Sequence, residues 1–401
     1  MIRAMTTMSK SGRRRVIAAL GVGQILAWGA SYYLPAILAR PIAAEMGWPL
    51  AWVVGGLSLG LLVAGLVAVR VGHAIERHGG RPVLAASVVL LATGLAILAA
   101  TTNLAIFFLA WIVLGIGMAA GLYDAAFSCL GRIFGSEARP AITALTLWGG
   151  FASTVCWPLS AFLAETLGWR GACLVYAGIF MVVVLPLILF TLPREERRDR
   201  AAVTSHTAIA AGETPPGRRG LAFAILSAMM VASGAVMAVW SVHAITILEA
   251  DGLSLAAAVA LGALVGPAQV GGRVIEMLTG GRYHPIWTMA SSVVLVALGM
   301  ALLWIDFPVP AIALIAYGAG NGIWSIARGT VPLALFGVDG YAVLMGKLAV
   351  PSLLAQAAAP PIGAALLDAV GAGGTLGVLA AIALGNVAGF LLLAATSLPR
   401  R

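Results

Sequence analysis

Five ionisable residues stand inside long apolar runs that otherwise hold little charge: Asp124, Arg273, Glu276, Arg328 and Lys347. A charged side chain at the centre of a membrane helix costs about 2.5–3.5 kcal/mol, so it is kept mainly where it faces other helices or a water-filled cavity. Three basic side chains would make such a cavity positive, and the planar guanidinium of arginine fits a carboxylate. The pattern therefore predicts a binding site for a small organic anion.

The acidic residues of this set leave two interpretations open. Asp124 or Glu276 could take up a proton or balance the charge of a cation. Alternatively, Arg273 and Glu276 form an i,i+3 pair near the end of one helix, and Asp124 simply neutralises an arginine. In that case the acids belong to a gate or to the helix packing.

The elements that must position these residues are helices long enough to cross a bilayer. Of 401 residues, 61% are hydrophobic and 10% are charged, and the mean hydropathy is +1.02. A soluble domain has about 25% charged residues, and a membrane-spanning helix takes roughly 20 apolar residues. These values exclude a soluble enzyme, a secreted disulfide scaffold and a disordered chain. They also disfavour an outer-membrane barrel, whose strands alternate apolar and polar residues.

Twelve apolar runs can be read along the chain, at about 16–39, 50–71, 83–101, 104–130, 140–165, 170–192, 220–248, 254–278, 285–305, 308–334, 341–367 and 371–396. Residues 193–219 separate them into six plus six, and their charged and small residues are typical of a linker. We therefore predict an all-α membrane protein with 12 transmembrane helices in two pseudo-symmetric six-helix bundles. The N-terminal bundle is 1–192, the cytoplasmic linker 193–219 and the C-terminal bundle 220–401.

The distribution of charge predicts the orientation. The net charge of +9 would point to nucleic acid in a soluble protein, but basic residues of membrane proteins collect in cytoplasmic loops. With the N-terminus inside, the loops on the inner side receive most of the arginines, including Arg197, Arg198, Arg218 and Arg219. The first run is too long for a signal peptide. We expect a multi-pass protein of the bacterial inner membrane with both termini cytoplasmic and no nucleic-acid partner.

The two halves repeat each other at a nearly constant offset of 200 to 202 residues. The matching elements are Gly72…Glu76 with Gly272…Glu276, Gly79-Gly80-Arg81 with Gly280-Gly281-Arg282, Gly121…Tyr123 with Gly322…Trp324, Phe134-Gly135 with Phe336-Gly337, and Pro158 with Pro360. Each match is weak by itself, but the shared offset indicates a duplication. Duplicated six-helix halves place a substrate site at their interface.

The segment after the second run, GHAIERHGGRP, resembles the loop signature G-x-x-x-D-R-x-G-x-R of the major facilitator superfamily, with glutamate in place of aspartate. The glycines suit a tight turn, and the charges can cap helix ends and hold a gate. The resemblance implies secondary transport by alternating access. The gating residues that we assign are Gly72, Glu76, Arg77, Gly79, Arg81 and Arg132.

A narrower resemblance links the chain to the monocarboxylate transporters and oxalate:formate antiporters. It rests on Gly131-Arg132-Ile-Phe134, Gly168-Trp169-Arg170-Gly171-Ala172 and the pair Gly272-Arg273, nine residues before Arg282. In those families the equivalent arginine is implicated in binding the substrate carboxylate, and Lys347 lies near a substrate lysine. The sequence differs where the monocarboxylate transporters have a proton-coupling aspartate, because Gln269 stands there.

Further cavity candidates follow from the same comparison. The first helix lies at the interface of the halves in this superfamily, which makes Gln24 and Tyr32 candidates. Asn321 and Trp324 lie one helical turn apart on the tenth run, and Gln269 lies one turn before Arg273. The complete set of predicted substrate-binding residues is Arg273, Arg328, Lys347, Asp124, Gln269, Asn321, Trp324, Tyr32 and Gln24.

The sequence thus predicts a monomeric secondary transporter of a small, monocarboxylate-like organic anion, coupled to a proton or a counter-anion, and without a cofactor or a bound metal. No Walker, G-x-S-x-G or H-E-x-x-H motif points to an enzyme or an ATP-driven pump. Two alternatives are a drug or multisubstrate efflux transporter, in which Asp124 dominates an aromatic cavity, and a metal or metalloid transporter that uses Met237, His243 or the cysteines. A transporter-like sensor or assembly factor is a third.

Overall fold

The computed structural model describes residues 9–195, 216–279 and 283–397, and they fold almost entirely into α-helices. The helices are α1 Lys10–Gly29, α2 Leu34–Met46, α3 Leu50–His78, α4 Gly80–Ala99, α5 Leu104–Gly121, α6 Tyr123–Phe134, α7 Ala138–Gly150, α8 Ala152–Ile179, α9 Leu185–Thr191, α10 Arg219–Ala250, α11 Leu255–Gly262, α12 Val265–Thr279, α13 Pro285–Trp304, α14 Pro310–Phe336 and α15 Tyr341–Ser397. A π-helical turn, Phe180–Val184, joins α8 to α9.

The helices are long and apolar enough to span a membrane. Within the described residues, eight helical stretches meet that criterion, and the longest, Leu104–Thr191, has 88 residues and contains several helices. Two apparently continuous helices contain a reversal of the chain. Gly168 in α8 and Gly371 in α15 adopt left-handed φ values of 71° and 70°, a conformation that glycine tolerates. The Ser160 and Tyr176 hydroxyls meet at 2.8 Å across the first reversal.

With these reversals counted, the described chain makes twelve crossings, as the apolar runs predict. We name the two faces of the bundle by what lies at them. The linker face holds the start of α1, the α3–α4 turn, the α6–α7 turn and the α14–α15 turn. The far face holds the α2–α3, α4–α5 and α10–α11 turns together with the reversals at Gly168 and Gly371.

Each half has its own apolar core, and small residues let the halves approach each other. One cluster of buried side chains belongs mainly to α1–α9, and two further clusters belong to α10–α15.

Between the halves, α3 packs against α15. A Cβ on Gly346 would lie 2.6 Å from the carbonyl oxygen of Ala68, and one on Gly72 would overlap the carbonyl of Ala342. This contact needs glycine, as is common where membrane helices touch closely.

The fourth crossing differs from the predicted continuous run at 104–130. Leu122 is extended (φ −76°, ψ −171°), so α5 ends at Gly121 and α6 begins at Tyr123. The break leaves the Gly121 carbonyl without a helical partner, and Nε2 of Gln24 donates to it at 2.6 Å. The Gln24 carbonyl in turn accepts from Trp28 Nε1 at 3.1 Å. The prediction that Gln24 lines the substrate cavity is not supported, because its side chain is buried and both its polar atoms are bonded within the protein, Nε2 to Gly121 and Oε1 to Trp28.

We expect Gln24→Ala to lower stability by about 1–3 kcal/mol, the usual cost of leaving a buried polar group without its hydrogen bond. Thermal unfolding of the purified protein in detergent measures this. Trp28→Phe is the matched control, because it removes the donor to Gln24 but keeps the bond to Gly121. Equal losses in the two variants would contradict the role assigned to Gln24.

Candidate functional site

A cleft lies between the two halves at the level of the helix break. Its walls come from α1, α3, α5, α6, α14 and α15, and it encloses about 640 Å³, part of it open to solvent. Most of its lining is apolar. The polar side chains that face it are Tyr32, Tyr123, Asp124, Ser128, Arg328 and Gln356.

An ion pair joins the two halves inside this cleft. Nη2 of Arg328, on α14, donates to the Asp124 carboxylate at 2.6 Å, and both side chains are about four-fifths buried. Asp124 lies in the first turn of α6, where the helix dipole favours a negative charge. The break at Leu122 creates that helix start within the membrane. Asp124 therefore faces an arginine, and both side chains line the cleft.

Arg273 lies beside this site and is buried, with 6% of its surface exposed. Its Nε donates to the Gly322 carbonyl at 3.2 Å and to Ser325 Oγ at 3.0 Å. Its Nη1 is buried without a hydrogen-bond partner in the described part of the chain. An orphaned, charged donor is costly in a low-dielectric interior, so the arrangement favours an anion at Nη1.

Aromatic rings form part of the wall of the cleft. Tyr123 lines it together with Arg328, and the Tyr123 ring stacks on Phe127 with centroids 5.1 Å apart. Trp28 packs against Tyr123 at 5.1 Å and against Tyr32 at 5.3 Å. The resulting site is a positively charged pocket with aromatic walls.

Glu276 does not pair with Arg273, which corrects the i,i+3 interpretation. Its carboxylate lies 3.6 Å from Arg139 Nη2, on α7 of the other half, and accepts a hydrogen bond from Thr288 at 2.6 Å. Arg139 also donates to the Tyr283 carbonyl. Both charged side chains of the pair are more than four-fifths buried. Glu276 thus belongs to a contact that closes the linker face between the halves.

The first copy of the loop signature forms a second charged cluster at the linker face. Arg132 lies 3.7 Å from the Glu76 carboxylate and donates through Nε to Glu195 at 2.5 Å. Glu195 also accepts from the Gly80 amide at 2.9 Å, at the start of α4. The predicted gating residues Gly72, Glu76, Gly79 and Arg132 lie in or beside this cluster, whereas Arg77 is exposed and Arg81 is half-buried. Its counterpart at 280–282 lies outside the described residues.

Four other predicted substrate residues do not line the cleft. Lys347 is exposed, because its neighbour Gly346 packs against α3 and the next position on a helix points about 100° away. Asn321 and Trp324 line a smaller cavity of about 310 Å³ within the C-terminal half, beside Asn386. The Gln269 backbone packs against Gly322. A direct substrate role for these residues stays a prediction that this arrangement does not support.

Three residues in these contacts were not predicted as functional groups from the sequence: Arg139 and Glu195 at the linker face and Gly150 beside Arg273. Nothing in the sequence pairs Arg139 with Glu276, because the two positions are 137 residues apart and meet only through the packing of the halves. For Glu195, the signal available was its place directly after the sixth apolar run.

Comparison with known families decides the identity of the fold. The model of the Major Facilitator Superfamily matches residues 20–346. The chain belongs to the major facilitator superfamily. It is therefore a multi-pass membrane transporter of the class that moves small molecules by alternating access. No curated protein matches the chain at a significant level.

Solved structures share this fold over nearly the whole chain. The human organic anion transporter MFSD10 (TETRAN) is 18% identical with a TM-score of 0.72, covering 95% of this chain and 99% of its own. A variant of the E. coli fucose:proton symporter FucP is 15% identical with a TM-score of 0.70, covering 96% and 98%. The proton:xylose symporter XylE is 13% identical with a TM-score of 0.69, covering 94% and 95%. At these identities the comparison shows the fold, and the monocarboxylate branch stays a prediction.

The contact between Arg139 and Glu276 should couple the two halves energetically. We expect a double-mutant cycle of Arg139→Ala and Glu276→Gln to give a coupling energy of about 1 kcal/mol, because the pair is mostly buried. Unfolding midpoints of the four proteins in detergent provide the measurement.

The control cycle uses Arg13 and Glu137, an ion pair of 3.2 Å within the N-terminal half whose glutamate is 77% exposed. Its coupling energy should be close to zero, since exposed pairs contribute little. Similar coupling energies in both cycles would contradict the inter-half role of Glu276.

Proposed function

We propose that this protein is a secondary transporter of small organic anions that carry one negative charge and an apolar body. The observation that carries the proposal is the buried Nη1 of Arg273, which has no acceptor in the described chain. A carboxylate that enters the inter-half site would supply that acceptor and form a charge-assisted hydrogen bond. Tyr123 lines the cleft, and its hydroxyl and Arg273 Nη1 lie against the adjacent glycines Gly149 and Gly150, so the carboxylate would approach Nη1 past Tyr123.

The balance of charge at the site supports a monoanion. Asp124 and Arg328 neutralise each other at 2.6 Å, and among the described residues no carboxylate forms an ion pair with Arg273. One carboxylate on the substrate would make the site neutral, whereas a dianion would leave an extra negative charge in a poorly hydrated interior. Burying an unpaired charge there is strongly unfavourable.

The walls of the cleft support an apolar body. Trp28, Tyr32 and Tyr123 face it together with leucine, alanine, valine and methionine side chains. A sugar would need many hydrogen-bond partners, and few polar side chains face this cleft. The same fold serves an organic anion transporter and two sugar:proton symporters. The fold therefore does not choose the substrate, and the charge and lining of the cleft favour the anion.

Asp124 is the proposed coupling group. It is paired with Arg328 across the halves, so a substrate carboxylate can compete with it for the guanidinium, or a proton on Asp124 can release Arg328. Either event removes an inter-half contact and changes the balance between the two access states. Transport would then be coupled to a proton or to a counter-anion. Glu276 is proposed as a part of the closure at the linker face.

We further propose that the linker face is cytoplasmic, that both termini lie there and that the protein functions as a monomer in a bacterial inner membrane. The support is the concentration of arginines at this face. The bundles at 1–192 and 220–401, joined by the linker 193–219, would rock about the cleft.

Arg273→Ala should abolish the stabilisation of the purified protein by benzoate, or weaken benzoate binding about 10- to 150-fold, since a hydrogen bond to a charged group contributes about 1.5–3 kcal/mol. The measurement is a titration of the unfolding midpoint with acetate, benzoate, phthalate, fucose and tetraphenylphosphonium. In the wild type, benzoate should stabilise more than acetate or phthalate.

Lys347→Ala is the matched control, because it removes a positive charge that lies outside the cleft. Its benzoate affinity should equal that of the wild type. Stabilisation by tetraphenylphosphonium alone would favour drug efflux and contradict the anion proposal. The same conclusion would follow if Arg273→Ala bound benzoate as well as the wild type.

Asp124→Asn should uncouple transport from its driving ion. In proteoliposomes we expect the variant to exchange labelled benzoate for unlabelled benzoate but to lose accumulation driven by a pH gradient. The neutral side chain cannot take up the proton, and it releases Arg328. Accumulation at the wild-type level would exclude Asp124 as the coupling group.

A further inference from the structure

The guanidinium of Arg273 is fixed by its own half and reaches into the other half. Its Nε is held by the Gly322 carbonyl and by Ser325 Oγ, both on α14. Ser325 Oγ in turn donates to the Gly322 carbonyl at 2.7 Å. These bonds restrict rotation of the guanidinium, so the position of Nη1 is set by the C-terminal half. The residue that lies against Nη1 belongs to the N-terminal half.

Nη1 meets Gly150, at the point where α7 ends and the chain passes into α8. A Cβ on Gly150 would overlap Nη1 and would lie 3.4 Å from the guanidinium carbon. Gly149, the preceding residue, lies equally close to a side chain, because a Cβ on Gly149 would overlap the hydroxyl of Tyr123. The two glycines therefore leave adjacent spaces for the guanidinium of one half and the phenol that lines the cleft.

We propose that Gly150 is a positioning residue for anion binding, and this inference rests on the function proposed above. Because Gly150 has no side chain, the halves can close around Arg273 while Nη1 stays available to the substrate. A methyl group at position 150 would overlap Nη1, and the overlap is relieved by a small shift of the guanidinium within the freedom that its Nε bonds leave. That shift would move Nη1 away from the place where the carboxylate has to bind.

The test compares Gly150→Ala with Gly178→Ala, in the wild type and in an Arg273→Lys background. Gly178 is on α8 in the same half, and a Cβ there meets no atom within 4 Å. Lysine keeps the positive charge but lacks Nη1, so any steric conflict with position 150 is relieved. The readouts are the unfolding midpoint without ligand and the Kd for benzoate from its titration.

We expect Gly150→Ala to raise the Kd for benzoate about tenfold or more, roughly the loss of one hydrogen bond to a charged group, with a nearly unchanged midpoint without ligand. Gly178→Ala should bind benzoate like the wild type. In the Arg273→Lys background, Gly150→Ala should leave the weaker affinity unchanged, because no Nη1 remains to be displaced.

Three results would overturn the inference. The first is equal benzoate affinity in Gly150→Ala and Gly178→Ala. The second is a loss of affinity on Gly150→Ala of the same size in both backgrounds, which would indicate helix packing. The third is a Gly150→Ala protein that fails to fold and is not recovered by Arg273→Lys. Failure of the proposed function itself has a different signature, because Arg273→Ala alone would then keep its full response to benzoate.

Discussion

The absence of water from the bilayer interior is the constraint on which this structure depends. Each polar group there must find a partner inside the protein. The backbone meets this requirement by forming helices. Where the fourth crossing breaks at Leu122, the Gln24 side chain supplies the missing partner for the Gly121 carbonyl. Asp124 and Arg328 satisfy each other across the interface. Arg273 is the charged residue that departs from the rule among those described, because its buried Nη1 has no hydrogen-bond partner there, and the proposed anion site rests on this departure.

The duplicated halves use equivalent residues for different purposes. Glu76 and Glu276 occupy the same place in the repeat, but Glu76 pairs with Arg132 inside its own half, while Glu276 pairs with Arg139 of the other half. One copy thus stabilises a bundle and the other stabilises the contact between bundles. The chain reversals at Gly168 and Gly371 keep the same geometry in both halves. The two halves therefore share the path of the backbone but differ in their charged contacts.

Much of the architecture follows from the sequence because membrane helices have a strong, local signal. The apolar runs and the loop signature require only the identity of neighbouring residues, and the family match over residues 20–346 agrees with the fold that they predict. The candidate site was predicted less completely. Asp124, Arg273 and Arg328 were found because charge inside an apolar run is rare. Lys347 belongs to the same class, yet it lies on the exposed side of α15.

The sequence by itself determined the twelve crossings, the division into halves and which charged residues lie inside the apolar runs, since hydropathy and charge are properties of each segment. Only the tertiary structure decided which charges meet. The break at Leu122 turns Asp124 towards Arg328. The rotation of α15 directs Gly346 towards α3 and leaves Lys347 exposed. The end of α7 brings Gly150 into contact with Nη1 of Arg273. These relations depend on helix rotation and on contacts between residues more than 100 positions apart, which no local pattern of amino acids encodes.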